Sequence, residues 1–233
     1  MFFGPIVDED TQDWVLENFE WAIATGLMTK DTRLVSPTAE NFPVSKGEPA
    51  FVARGLVDAI AGHLGIESGI EVRALDVIPA EYRIDYNATG DTAGTWQSDG
   101  NGAVISFDPS LAQRPMSFLS TLVHEMMHQR LHMTEMDFPG GLQAEELATD
   151  LHAITSGFGE VQMMGAEQAG WQGYMRQETR AFALSVFLDL TGEIAEHVPS
   201  RSAKLLRKTK KLLRNHEDIL NVMRLQLGHL ERV

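Results

Sequence analysis

The spacing of apolar residues predicts two amphipathic helices in the first third of the chain. Between residues 8 and 26 apolar side chains recur every three or four positions, as one face of a helix requires. They are Trp14, Val15, Phe19, Ala22 and Ile23. Asp10 or Thr11 is the expected N-cap, and Gly26 is the expected stop. The same spacing follows Pro49, and we expect His63 to lie at the end of that second helix without a ligand role.

The periodicity changes after Gly69 to that of strands and turns. Short runs rich in Ile, Val, Tyr and Trp alternate with Pro, Asn, Asp and Gly. The runs are IEVRALDVI, EYRIDYN, TAGTWQ and GAVISFD, within residues 70–108. They predict three or four antiparallel strands.

From Pro115 onward the pattern is helical again, with loops at DFPGG and VPS. If residues 115–132 form a helix, its apolar residues cover the side opposite the histidines of LVHEMMHQRLH. These apolar residues are Phe118, Leu119, Leu122, Val123, Met126 and Met127. We therefore predict an α+β fold with a small antiparallel or mixed sheet, followed by helices.

Composition limits the class of protein and the kind of metal site. The chain has 233 residues, 43% of them hydrophobic, and no apolar run long enough for a membrane span. The start, MFFGPIVDED, does not have the pattern of a signal peptide. We therefore expect a soluble, cytoplasmic protein. Because there is no cysteine, any zinc must be held by histidine and carboxylate.

The charge is strongly negative except at the C-terminus. The net charge is −14, and residues 201–233 contain nine Lys or Arg against three Asp or Glu, so residues 1–200 carry −20. We expect no general nucleic-acid binding, because most of the surface would repel phosphate. The basic stretch 201–214 belongs to a segment with apolar residues at helical spacing, namely Leu205, Leu212, Ile219, Met223, Leu227 and Leu230. It predicts a core-packing helix with a solvated charged face. It would alternatively dock onto the chain's own acidic body, an acidic partner or anionic lipid.

The segment HEMMH carries the clearest chemical signal. His124 and His128 are four residues apart with Glu125 beside them, which places two imidazoles on one helical face with a carboxylate next to them. This is the HExxH spacing of a zinc site whose glutamate acts as general base. The motif is short, and the competing interpretation is a structural helix whose histidines are satisfied by neighbouring hydrogen bonds.

A catalytic zinc site needs a third protein ligand and leaves its fourth position to water. His132 comes too early for the extended pattern HExxHxxGxxH, and we expect it to line the cleft or to end the helix in solvent. The segment LQAEELATDLHAI predicts a second helix on which Glu146 and Asp150 share a face. Leu142 and Ala153 are expected on that face, turned toward the HEMMH helix, while Glu145 and His152 project elsewhere.

HEMMH followed by EELATD resembles the gluzincin class of zinc metallopeptidases, in which HExxH precedes a helix carrying ExxxD. The resemblance implies His124, His128 and Glu146 as zinc ligands and Glu125 as general base. It also implies that Asp150 accepts a hydrogen bond from a ligand histidine. It further implies a zincin-like fold over residues 70–159. It does not extend to the N-terminal helical segment, 1–69, or to the C-terminal helical segment, 160–233.

Gluzincins also use a side chain that donates a hydrogen bond to the oxyanion, commonly Tyr, His or Arg. The candidates of these residue types in the later part of the chain are Tyr174, Arg180 and His197. Each has a plainer alternative. Tyr174 would be a half-buried helix residue, Arg180 a partner of Glu178 on the same helix, and His197 a helix end. A substrate peptide is expected to pair with an edge strand, for which GAVISFD is the nearest candidate.

Two functions compete at this point. The first is a zinc metallopeptidase that hydrolyses peptide or protein substrates, because metal binding alone does not need Glu125. The second is a zincin-fold metal-binding module that regulates or binds other proteins without general proteolytic activity. Zn²⁺ is the expected cofactor of both.

Overall fold

A computed structural model of the chain describes residues 5–66, 69–75, 94–98, 103–134, 136–170 and 174–229. The α-helices in these ranges are α1 (Glu9–Ala24), α2 (Pro49–Leu64), α3 (Pro115–His132), α4 (Glu145–Ala153), α5 (Gly159–Gln168), α6 (Gln177–Thr191), α7 (Ser200–Thr209) and α8 (Glu217–His229). The strands are β1 (Glu71–Ala74), β2 (Gly94–Ser98) and β3 (Ala103–Phe107). The fold is thus α+β and mostly helical. No helix in the described ranges is long and apolar enough to cross a lipid bilayer.

The chain divides into two compact units. One consists of Thr38–Met133 and contains α2, α3 and the three strands. The other consists of Met1–Pro37 together with Thr134–Val233 and contains the remaining helices. Each unit has its own buried apolar residues.

The described strands form a mixed sheet in the order β1-β3-β2. β2 pairs antiparallel with β3 and β1 pairs parallel with β3, so the sheet is mixed, the second of the two predicted arrangements, and the expectation of antiparallel strands throughout is wrong. Alternating apolar residues mark a strand with one buried face, and they do not specify the direction of its partner. The predicted strand EYRIDYN lies outside the described residues.

β3 is the central strand of the described sheet, so the prediction of GAVISFD as an edge for substrate pairing is wrong. Both sides of β3 are occupied, by β1 and by β2. Its side chains alternate between buried and half-buried, with Ala103, Ile105 and Phe107 buried. A strand paired on both sides has no free row of backbone groups for a peptide.

Helix α3 packs on this sheet through the apolar face predicted for it. Pro115 occupies the first turn, where its missing N–H is not needed. Phe118, on this helix, lies with its ring centroid 5.3 Å from that of Phe107 on β3. All six predicted apolar residues of α3 are buried. This packing fixes the rotation of α3 and leaves His124 and His128 half-buried.

In the other unit, α1 begins two or three residues earlier than expected. Its N-cap is Asp8, whose carboxylate accepts a hydrogen bond of 2.9 Å from the Thr11 N–H. Asp10 therefore lies inside the first turn, where its negative charge still favours the helix N-terminus. The helix ends at Ala24, and Gly26 follows it with a φ of 73°, as the predicted stop requires.

His152 on α4 packs against α1 in a fully buried polar cluster. Its Nε2 lies 3.1 Å from the Asn18 side-chain oxygen, and its ring centroid is 4.8 Å from that of Trp21. Its Nδ1 is 3.3 Å from the Thr155 hydroxyl. Burial lowers the pKa of His152 to about 3, so the ring is neutral at physiological pH. The prediction that His152 faces away from the Glu146 side of α4 agrees with this packing.

The C-terminal segment is not one continuous helix. A 3₁₀ turn, Leu212–His216, separates α7 from α8. Leu213 and Leu220 are buried around this turn, whereas the predicted Leu205, Leu212 and Ile219 are half-buried. Met223 and Leu227 are buried as predicted, and Leu230 lies outside the described residues. Leu220, Met223 and Leu227 form a core-facing stripe on α8, whereas Val222 and Leu225 are exposed, as are the basic side chains before this helix.

Candidate metal centre

Helix α3 places His124 and His128 one turn apart, with their rings converging. Their Nε2 atoms are 3.2 Å apart, and the two ring planes are inclined at 82°. Two imidazole nitrogens that share a tetrahedral zinc at 2.0–2.1 Å are about 3.3–3.4 Å apart. The separation of the two nitrogens therefore fits a shared metal ion.

Glu125 lies beside the histidines but is more deeply enclosed, with 6% of its surface exposed. Strand β2 crosses it at Gly94, where a Cβ atom would lie 2.9 Å from Glu125 Oε1 and 2.9 Å from Thr121 Cγ2. The backbone of β2 at Gly94 thus packs directly against the Glu125 carboxylate. Glycine is required at position 94 for this close approach.

Trp96, two residues further along β2, covers the next turn of α3. Its indole is stacked on the His128 ring at 14°, with centroids 6.2 Å apart, and its Nε1–H donates a hydrogen bond of 2.9 Å to Gln129 Oε1. It also contacts His132, at a centroid distance of 5.2 Å. His132 is exposed at the end of α3, and its ring takes part in this aromatic contact.

Glu146 lies in the first turn of α4 and is half-buried. The loop before this helix is fastened to α1, because Trp14 Nε1–H donates to the Pro139 carbonyl at 3.1 Å. Gly140, with a φ of 97°, fits closely between Trp14 and Ala144. Leu142, expected on the same packed face as Glu146, is instead 84% exposed, because it belongs to a 3₁₀ turn that precedes α4.

His124, His128 and Glu146 form a group that could hold a metal ion. Each offers one ligand atom, and the three atoms lie within 4.8 Å of one another. Two imidazoles and one carboxylate are the donor set of a catalytic zinc site with an open position. Glu125 is not a member of this group.

Asp150, one turn after Glu146, is held in a buried ion pair with Arg180. Its Oδ2 accepts from Arg180 Nη2 at 2.6 Å and from the Met175 N–H at 3.2 Å. Arg180 donates a further hydrogen bond to the Met175 carbonyl. Arg180 is thus paired with a residue of another helix, Asp150 on α4, and not only with its own helix as the plainer alternative supposed. The guanidinium is turned inward onto Asp150, with side-chain exposures of 4% for Arg180 and 6% for Asp150.

The other two candidates for an oxyanion donor lie outside helices. Tyr174 precedes α6 and is 62% exposed, so it is not a half-buried helix residue. His197 lies in the loop before α7, not at a helix end. Its N–H donates to Glu160 Oε1 at 2.7 Å, and its Nδ1 is 3.4 Å from Glu160 Oε2. His63 does lie near the end of α2, where its Nε2 is 3.0 Å from the Asn41 carbonyl.

Sequence reasoning missed the contribution of β2 to this region. Gly94 and Trp96 are two residues apart and so share one face of a strand, which a period of two reveals. Nothing local indicates that this face lies on Glu125 and His128. The partnership of Asp150 with Arg180 was missed for the same reason, since 30 residues separate them in sequence.

No family model, curated protein or solved structure matches this chain.

Proposed function

We propose that the protein is a zinc-dependent metallopeptidase with a zincin-like catalytic core. The observation that carries the proposal is the convergence of His124, His128 and Glu146, whose ligand atoms lie within 4.8 Å of one another. The two Nε2 atoms, 3.2 Å apart, support a tetrahedral ion between them. Neutral imidazole and carboxylate suit zinc, and the chain has no thiolate to offer.

Glu125 has the position that a general base needs. It is adjacent in sequence to His124, it lies outside the ligand group, and β2 restricts its carboxylate at Gly94. In the proposed reaction a carboxylate oxygen of Glu125 takes a proton from the attacking water. It then returns the proton to the nitrogen of the leaving amine as the C–N bond breaks. Zinc, when bound, supplies Lewis acidity that lowers the pKa of coordinated water to about 7 and polarises the scissile carbonyl.

Tyr174 is the best remaining candidate for the oxyanion donor. Arg180 is committed to Asp150, and His197 to Glu160. The residue after Tyr174 is anchored on Asp150 through its N–H, and the tyrosine itself is 62% exposed. Loss of one oxyanion donor reduces kcat by about 10²- to 10³-fold, so Tyr174→Phe should do the same without loss of zinc.

Substitution of Glu125 separates this enzyme from the metal-binding module. Glu125→Gln should keep the fold and about one zinc per chain while peptide cleavage falls by about 10²- to 10⁴-fold. Cleavage is measured by mass spectrometry on a mixed-peptide library, and zinc by elemental analysis. A protein that binds zinc without cleaving any peptide would favour the regulatory or binding module. Equal cleavage by wild type and variant would remove Glu125 from the mechanism.

The two neighbouring glutamates of α4 provide a matched pair for the third ligand. Glu146→Ala should lose most of the zinc, whereas Glu145→Ala should retain it, because only Glu146 belongs to the ligand group. Both side chains are half-buried in the first turn of α4. Zinc-free wild type, purified without chelator, would refute the metal site, and the opposite ranking of the two variants would refute the assignment of Glu146.

We also propose that the basic C-terminal stretch docks an acidic surface of a partner protein. Its basic side chains are all exposed, and no acidic residue lies between Glu196 and Glu217. They are Arg201, Lys204, Arg207, Lys208, Lys210, Lys211 and Arg214. The buried side of α7 carries Ser202 and Thr209 and is packed inward, which argues against insertion into lipid.

Salt dependence tests this docking. Wild type should bind polyglutamate at low salt, and the Lys208→Glu, Lys211→Glu double variant should bind it much less. Lack of binding to polyglutamate by wild type would refute the proposal. Binding to anionic vesicles alone would assign the surface to lipid.

A further inference from the structure

Strand β2 contacts two of the three functional side chains of α3, Glu125 and His128, with one of its faces. Gly94 lies against Glu125, and Trp96 lies against His128. These contacts occur within the unit Thr38–Met133, where β2 is paired with β3 over its full length. The strand is thus built into the sheet and presents a fixed surface to the helix.

The indole of Trp96 is held in place independently of His128. Its Nε1–H donates to Gln129 Oε1 at 2.9 Å, and its ring contacts His132 at 5.2 Å. Trp96 therefore meets α3 at residues 128, 129 and 132, which lie on adjacent turns of the helix. A tryptophan with its N–H paired and its ring packed has little rotamer freedom left.

A fixed indole restricts the imidazole stacked on it. The rings of Trp96 and His128 are nearly parallel, at 14° with centroids 6.2 Å apart, which is the offset-stacked arrangement and favours this orientation of the imidazole. In the restricted orientation, His128 Nε2 points toward His124 Nε2 at 3.2 Å. A ligand that is oriented before binding loses less side-chain entropy when the metal arrives.

We propose that Trp96 is a positioning residue of the metal centre: it orients the His128 imidazole through the stacked contact, and Gln129 in turn orients Trp96. This inference rests on the proposed zinc site, because it assigns Trp96 a role toward a bound metal. It does not depend on peptidase activity. A purely structural tryptophan would affect the stability of the sheet and leave the affinity for zinc unchanged.

The experiment measures the affinity for zinc alone, by competition with a chelator, in the full-length protein. Residues that orient a metal ligand typically contribute 10- to 100-fold to metal affinity, so Trp96→Leu should weaken zinc binding by about that factor. Trp96→Phe keeps an aromatic face, and Gln129→Leu keeps the indole. Each loses the hydrogen bond and should weaken zinc binding by about 3- to 10-fold. Gln97→Ala, an exposed neighbour in β2, is the matched control and should bind as wild type does.

Cobalt substitution provides a second readout that stability does not influence. Co²⁺ bound by His128 should quench the Trp96 emission, and Trp96→Phe should abolish that part of the quenching. Trp96→Leu should also change the visible absorption bands of bound Co²⁺, because the ligand ring is no longer fixed. Thermal unfolding of each variant identifies any that fails to fold. If Trp96→Leu does not fold, the zinc affinities of Trp96→Phe and Gln129→Leu decide whether Trp96 orients His128.

The possible failures are distinct. Wild type that binds no zinc would refute the metal centre and, with it, the role of Trp96. Wild type that binds zinc, together with folded Trp96 variants of equal affinity and unchanged cobalt spectra, would refute the positioning role alone.

Discussion

Removal of the Arg180 guanidinium should destabilise the protein strongly, because it leaves a carboxylate buried without its cation. Asp150 and Arg180 have side-chain exposures of 6% and 4%, and their charged atoms are 2.6 Å apart. At this burial, loss of one partner of an ion pair costs about 3–5 kcal/mol, whereas an exposed pair contributes at most about 1 kcal/mol. Arg180→Met retains much of the aliphatic stem, so most of its effect comes from the charge.

The structure also indicates why the effect should lie toward the lower end of that range. Asp150 keeps the hydrogen bond from the Met175 N–H when Arg180 is replaced. The Nε atom of Arg180 is buried without a hydrogen-bond partner among the described residues. Its removal therefore also removes the desolvation cost of that unpaired donor from the folded state. We therefore expect about 3 kcal/mol. For a chain of this length that corresponds to a decrease in Tm of about 6–12 °C.

Thermal unfolding followed by circular dichroism measures this effect, with Arg176→Met as the matched control. Arg176 is exposed immediately before α6, and its replacement should change stability by no more than about 0.5 kcal/mol. A double-mutant cycle with Asp150→Asn isolates the coupling between the two charges. Equal Tm values for Arg180→Met and Arg176→Met would show that the buried pair does not stabilise the fold, and the reasoning from burial would be wrong.

Three further changes test other parts of the structure. Gly94→Ala should displace the Glu125 carboxylate, because a Cβ there would lie 2.9 Å from Oε1. Peptide cleavage should therefore fall by about 10²-fold while zinc content is retained, and an unchanged rate of cleavage would contradict this. Because burial lowers the pKa of His152 to about 3, its contribution to stability should be complete above pH 6.5. It should decrease by up to about 1.4 kcal/mol per pH unit as the pH falls from 6.5 toward 3. Urea titrations of wild type and His152→Gln measure it, and equal pH slopes for the two proteins would refute it. Gly157→Ala should destabilise by about 3 kcal/mol or more, because φ is 97° and the new Cβ would lie 2.1 Å from the Arg33 carbonyl oxygen. An unfolding free energy within about 1 kcal/mol of wild type would contradict that strain.

The helices that carry the candidate metal ligands follow from the sequence because their signals are local. Pro115, the spacing of the apolar residues after it and the helical pattern within LQAEELATDLHAI were visible along the chain, although α4 itself begins only at Glu145, after a 3₁₀ turn. A helix repeats every 3.6 residues, so residues four apart share a face whatever surrounds them. That is sufficient to bring His124 and His128 together. The roles of these residues, and zinc itself, stay predictions.

The partners of each element came only from the tertiary structure. Alternation along GAVISFD predicts a strand with one buried face, and the parallel pairing with β1 and the central position of β3 have no local signature. The contact of Trp96 with His128 joins residues 32 positions apart, and the pairing of Asp150 with Arg180 joins residues 30 positions apart. Contacts of this kind depend on how whole faces pack. A single sequence records that a face is apolar or charged, whereas only packing selects which other face it meets.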